Sequence, residues 1–301
     1  MSKVKTILVF TTLLFLFFFS SSTYANEFEE IQGREFEIFF DRQTRSLASE
    51  TAHLYPILKK SLEQTFGWSL DIKPSIVLIQ NRESFLRIAE SPLTIAFAVP
   101  SKSLIVIDCS SVMTHPLSLE LTLKHEMCHL LLHRNIKEAV LPRWLDEGTC
   151  QWVSDGAVDI LIDQKRSTLN RAALSKRLMP FGMLENKFPR SRDSLVLAYE
   201  QSKSFVNHIA SRFGKNGLLA ILENLSKGDN IQPAVSNALS VSLTTLETEW
   251  QAALSDKINW FALISYHIYE ILFGLMALVM ILASVRLILK KKAYMNMHSD
   301  E

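Results

Sequence analysis

The stretch "KHEMCHLLLH" (124–133) sets three histidines and one glutamate among leucines. His125 and His129 are four residues apart, so on a helix they lie on one face, one turn apart. Two imidazoles in that relation can aim their nitrogens at a single point, where zinc accepts them at ~2.0–2.1 Å. Glu126, next to the first histidine, completes His-Glu-x-x-His, in which the glutamate serves as general base toward a water at the metal. The competing reading is a pair of hydrogen-bonded core histidines. His133 is excluded as a ligand, because eight residues of straight helix separate it from His125 by ~12 Å. A glycine turn and a third histidine downstream, as metzincins require, are also missing: Leu130, Leu131 and Leu132 follow instead.

A third ligand must come from another element, and "LPRWLDEGTCQW" (141–152) offers one. Pro142 suits the start of a second helix. On it Trp144, Leu145 and Cys150 can pack against the first helix while Glu147 faces the metal. Asp146 is the competitor, about 100° away around the same helix. Gly148 permits a close approach between helices at that point.

With "HEMCH" and "WLDEG" at this separation, the chain resembles the gluzincin zinc peptidases, specifically the peptidase MA-like group. A third element, "LAYEQSKSFVNHI" (197–209), is similar to their Tyr-x-x-Ser-x-x-Phe helix, and the resemblance extends over residues 35–255. It implies one zinc ion held by His125, His129 and Glu147, with Glu126 as catalytic base and a peptide or protein as substrate. It further implies that Tyr199 steadies the oxyanion, a task for which a histidine such as His208 is the alternative. One departure stands out. Some gluzincins carry an aspartate four residues after the glutamate ligand to orient a histidine, and here that position is Gln151. Another group must then orient the ligands.

These residues need a scaffold. "EFEIFFD" (35–41) and "SIVLIQ" (75–80) read as strands, with a helix of period 3.6 from Thr44 to Phe66 between them. "ESFLRIAE" (83–90) reads as a short helix, and "TIAFAVP" and "SLIVIDC" as two adjacent strands joined through Pro100 to Lys102. From Pro116 onward the pattern is helical. Leucines on nearly every side of the histidine helix predict that it is buried all round. The expected class is α+β, gluzincin-like: a small N-terminal β-sheet subdomain packed on a mainly helical C-terminal part that carries the zinc helix.

Both ends carry signals of address. "MSKVKTILVFTTLLFLFFFSSSTYA" (1–25) has the charged start, apolar centre and small-residue finish of a secretory signal peptide. Residues 260–289 form a predominantly apolar run followed by Lys290, Lys291 and Lys292. About twenty such residues span a bilayer, and the lysines place the C-terminus in the cytoplasm. The expected organisation is a signal peptide (1–25), an extracytoplasmic body (26–259), a membrane helix (260–289) and a cytoplasmic tail (290–301). The body then lies in the periplasm or at the cell surface, on a single-pass protein. The net charge of +1 and the lack of a basic run interleaved with aromatics argue against nucleic acid as a partner. Three cysteines are too few for a disulfide framework. A bridge between Cys109 and Cys150 is open. So is a role without turnover, as a membrane-bound zinc or peptide sensor or assembly factor.

Overall fold

The computed structural model of the chain describes residues 28–89, 91–114, 119–155, 168–266 and 268–297. The segment expected to be a signal peptide, 1–25, lies outside them, as does Pro116. Five short strands form one sheet: β1 (Glu29–Gln32), β2 (Glu37–Phe40), β3 (Ser75–Ile79), β4 (Ala96–Val99) and β5 (Leu104–Asp108), in the order β1-β2-β3-β5-β4. β2, β3 and β5 run parallel, and β1 and β4 close the edges antiparallel. Each expected strand is present. β1 was not foreseen, because "EEIQ" has no β-branched or aromatic run to mark it; pairing with β2 brings it into the sheet.

Register explains how the sheet makes a core. Ile38, Ile76 and Ile105 stand in one row across the parallel strands, with Phe40, Leu78 and Ile107 in the next row but one. All six are buried, as the period-2 alternation of a strand demands when one face is covered. That face packs on α1 (Arg45–Phe66) and on the histidine helix, α4 (Leu119–Asn135). The opposite face carries a smaller cluster of Ile79, Phe85 and Val106 around α2 (Arg82–Leu86). β5 leads into α3 (Cys109–Thr114) through Asp108, which accepts hydrogen bonds from Ser110, Ser111 and Arg82.

The rest is helical: α5 (Arg143–Val153), α6 (Thr168–Leu174), α7 (Arg192–Ser226), α8 (Ile231–Leu239), α9 (Leu243–Tyr266) and α10 (Ile268–Met297). α7 is two helices merged across a kink at Gly214, whose φ of 73° lies in the left-handed region that glycine tolerates. The class is α+β, a small sheet followed by a mostly helical remainder. Along α10, residues 272–287 expose apolar side chains on every side, among them Phe273, Met276, Val279 and Leu282. The run expected to span a bilayer, 260–289, also includes residues whose side chains lie outside the described set. Among the described residues no helix is long and apolar enough to cross a membrane. Cys109, Cys128 and Cys150 are all buried and free, so the Cys109–Cys150 bridge does not form. Burial, helped by Asp108 and Asp41, pushes the Cys109 thiol up to about 12.

α5 is wedged between α4 and α7, and Gly148 makes the second contact possible. A Cβ built there would stand 2.5 Å from the carbonyl oxygen of Ser202 and 2.5 Å from a methyl of Val206. The close approach read from the sequence is therefore to α7. Gly148→Ala gains helix propensity worth up to ~1 kcal/mol but must push α5 off α7, an overpacking cost of ~1–3 kcal/mol. The expected outcome is a lower Tm by thermal denaturation. Gly182→Ala, with nothing within 4 Å of its added Cβ, should stay within about 1 °C of the parent.

Candidate metal centre

α4 is buried from Leu119 to Leu132 except on its Glu120 and Lys124 sides, with leucines locking it under the sheet. His125, Glu126 and His129 therefore project into protein rather than solvent. α5 starts directly after Pro142, whose extended backbone ends the preceding turn, and lies against α4. Cys150 meets α4 through His129, 3.5 Å from its Nδ1, and through Cys128. Trp144 turns the other way, packing in tilted ring contacts against Phe181 and Phe205. It ties α5 to α7, where the sequence placed it against α4.

Three donor atoms converge. His125 Nε2 and His129 Nε2 are 3.2 Å apart, and Glu147 Oε2 is 3.6 Å from each. A tetrahedral zinc with bonds of ~2.0–2.1 Å separates its donors by about 3.3–3.4 Å, so this triangle is close to one face of such a tetrahedron. The protonation pattern points the same way. Asp146 Oδ1 accepts from His129 Nδ1 at 2.7 Å, which leaves Nε2 bare in the neutral ring. Glu147 Oε2 takes no hydrogen bond, although it is fully buried. Lone pairs facing one another in a dry interior are costly unless a cation sits between them. A proton can be that cation: burial lowers the His129 pKa, but Asp146, Glu147 and Glu126 outweigh it and raise the imidazole well above its ordinary value. The donor set equally fits zinc.

The ligands are held from behind. Asp146, the sequence's competitor for the third ligand, contacts His129 at the ring nitrogen away from the donor triangle. Its other oxygen accepts from His133 Nε2 at 2.9 Å. Burial favours the neutral acid, but His129 and His133 overcome that and hold the Asp146 carboxyl well below its usual range. Arg143 pairs with Glu147 Oε1 at 2.5 Å and approaches Asp146 Oδ2 at 3.7 Å. Only Oε2 of Glu147 is left for a metal. Against the opposing effect of burial, Arg143, then His129 and His125, keep Glu147 below its ordinary pKa. His125 has a weaker support: Ser154 Oγ, which donates to the Cys150 carbonyl, stands 3.5 Å from Nδ1.

Gln151 does not orient a histidine. It donates to the backbone carbonyl of Tyr199 at 3.3 Å and so sits in the α5–α7 seam. Tyr199 is buried on α7, edge-on to Phe188 and beside Leu93. His208 lies further along α7 in a different setting, an open groove lined with Glu200, Lys203, Trp250 and Leu254. Burial, and then Arg212, lower its pKa. Of the residues singled out in the sequence, His125, His129 and Glu147 come together, with Glu126 buried beside them. Asp146, His133, Arg143 and Ser154 join them from behind. An aspartate one residue before the glutamate, and a histidine one turn after His129, were the readable signals for the first two.

Residues 94–256, just over half of the chain, match the sequence family described as Peptidase MA superfamily. The chain belongs to the Peptidase MA superfamily. Among solved structures, this superfamily member is similar to Legionella pneumophila aminopeptidase A in complex with aspartic acid, at 15% identity over 74% of this chain and 27% of that one, TM-score 0.45. Yeast LTA4 hydrolase in complex with bestatin gives 12% identity over 77% and 38%, TM-score 0.44. A mutant of an M1 zinc metallopeptidase from Deinococcus radiodurans gives 15% identity over 75% and 49%, TM-score 0.41. The chain spans between about a quarter and a half of the length of these structures. No curated protein matches it.

Removing a donor and removing its support should differ in kind. His129→Ala is expected to abolish stoichiometric zinc binding. His133→Ala and Asp146→Ala should keep one zinc per chain but weaken it by about 10–100-fold, the usual effect of losing a group that orients a ligand. Chelator competition on the purified protein reads both quantities. Equal loss of stoichiometry in His129→Ala and His133→Ala would refute the ligand set.

Proposed function

We propose that this chain is a zinc-dependent metallopeptidase that hydrolyses peptide bonds outside the cytoplasm while tethered to a membrane through residues 260–289. The observation that carries the reading is the convergence of His125, His129 and Glu147 on one point with Glu126 one residue from the first donor. His125, His129 and Glu147 hold the ion, one zinc per chain. Bound zinc supplies Lewis-acid chemistry, acidifying a water and polarising a carbonyl.

The remaining work belongs to side chains of this protein. Glu126 takes the proton of the attacking water and returns it to the leaving amine, a general acid–base role that suits a carboxylate in a dry pocket. Asp146 keeps the His129 ring in its Nδ1–H form, and Arg143 turns Glu147 so that a single oxygen faces inward. Tyr199 is assigned to the oxyanion, where a phenol donates to negative charge as it develops. Its backbone is fixed to α5 through Gln151, and Phe188 links its ring to Arg143.

Glu126→Gln keeps size and hydrogen-bonding capacity but removes basicity. It is expected to bind zinc and melt like the parent while losing at least ~10²-fold in peptide hydrolysis. Hydrolysis undiminished in this variant would refute the mechanism. A parent that holds zinc yet cleaves nothing in a broad peptide library would favour a sensor or assembly role.

Membrane attachment rests on the apolar side chains exposed all round α10 at 272–287 and on the lysines at 290–292. A helix apolar on every face is buried in protein or in lipid. Protease added to the outside of intact cells or spheroplasts should digest the 26–259 body and spare the last residues. Protection of the body would overturn the proposed topology.

A further inference from the structure

The segment from the end of α6 to the start of α7, residues 171–192, holds six cations (Arg171, Lys176, Arg177, Lys187, Arg190, Arg192) against one acid, Glu185, a net of +5. The whole chain is only +1, so basic charge is concentrated here and the remainder is net acidic. All six cations are exposed, and among the described residues none pairs with a carboxylate. Leu174 and Met183 on the same segment are 65% and 68% exposed. This is not a loose loop. Gln201 donates to the carbonyl of Met179 and accepts from its N–H, both at 2.9 Å. Phe181 packs between Trp144 and Phe205, and Leu184 is fully buried. The apolar residues pull the segment down onto α5 and α7, and the cations are left facing out.

The strap also touches the metal centre. The backbone N–H of Arg143 donates to the Glu185 carbonyl at 2.7 Å, and the Arg143 guanidinium lies 5.9 Å from the centre of the Phe188 ring. That same guanidinium holds Glu147 at 2.5 Å. A field of six cations, unpaired among the described residues and carried on a segment bonded to Arg143, attracts and orients an anionic partner. We propose that the basic strap 171–192 is a recognition surface for acidic peptide segments, Asp/Glu-rich with apolar residues between, and that such segments are the preferred substrates of the adjacent centre. The proposal rests on the peptidase reading for the word substrate, though not for binding. A peptide is favoured over an anionic bilayer because the strap is bonded to the residue that holds Glu147. The exposed Leu174 and Met183 offer it apolar contacts between its charges.

The test uses full-length Glu126→Gln protein in a neutral detergent, so that binding is measured without turnover. A fluorescein-labelled peptide of alternating Glu and Leu is compared with its Gln counterpart by anisotropy. The acidic peptide should bind at least ~10-fold tighter at low ionic strength and lose that advantage as salt shortens the screening length. Reversing Lys176, Arg177, Lys187 and Arg190 to Glu should erase the preference with zinc content unchanged. If that variant misfolds, neutralising Lys176→Gln and Lys187→Gln should still halve the preference or more. Equal binding of the two peptides, or a preference untouched by the substitutions, overturns the proposal. So does a variant that keeps its peptide preference but no longer pellets with phosphatidylglycerol vesicles, which would assign the strap to lipid. Acidic binding without any hydrolysis by the parent would sink the peptidase reading while leaving the strap's ligand in place.

Discussion

Everything near the centre depends on one buried hydrogen bond, from His129 Nδ1 to Asp146. It joins the middle of α4 to the first turn of α5. It fixes which nitrogen of His129 is bare, and Asp146 cannot move without taking Glu147, its neighbour in sequence, out of place. Both partners lie out of water, and removing one member of such a pair leaves an uncompensated group at a cost of ~3–5 kcal/mol. The bond thus serves the fold and the donor geometry together. His133 and Arg143 share the negative charge of Asp146 and Glu147, which lets two adjacent carboxylates stay ionised in a dry interior.

The larger architecture follows from giving those two helices a floor and a back wall. The sheet presents rows of isoleucine, leucine and phenylalanine to α1 and α4. α7 closes α5 from the other side through Gly148 and the aromatic group of Trp144, Phe181 and Phe205. Residues of the basic strap contribute to this wall from their buried side and face solvent with the other.

Much of this was legible from the residues alone, for identifiable reasons. β2, β3, β4 and β5 are short runs rich in β-branched and aromatic residues, bounded by proline, asparagine or polar turns, and α1 keeps its apolar spacing over several turns. His125 and His129 were readable because helical spacing converts sequence separation directly into a shared face, whereas Glu147, on another helix, was singled out over Asp146 by the resemblance to gluzincins. What escaped is long-range. Nothing local in "WLDEG" says that Trp144 turns to α7, since an apolar side chain is indifferent to which apolar neighbour it meets. Gln151 was readable as a departure, but its bond to the Tyr199 carbonyl was not. Asp146 was read as a rival to Glu147 and is instead the support of His129, because a 100° step around a helix separates donor from backing group and the sequence does not give the absolute rotation. β1 depends wholly on pairing with β2.

α5 has nine of its eleven residues buried, so it has almost no outer surface. A helix of this kind has little mutational freedom: a change that suits α4 must also suit α7, and a change in either neighbour must be accommodated within its eleven positions. Single substitutions there are filtered by packing before chemistry is tested at all. The strap beside α5 is under no such double constraint: Phe181 and Leu184 pack inward, while its solvent side can vary without disturbing either neighbour.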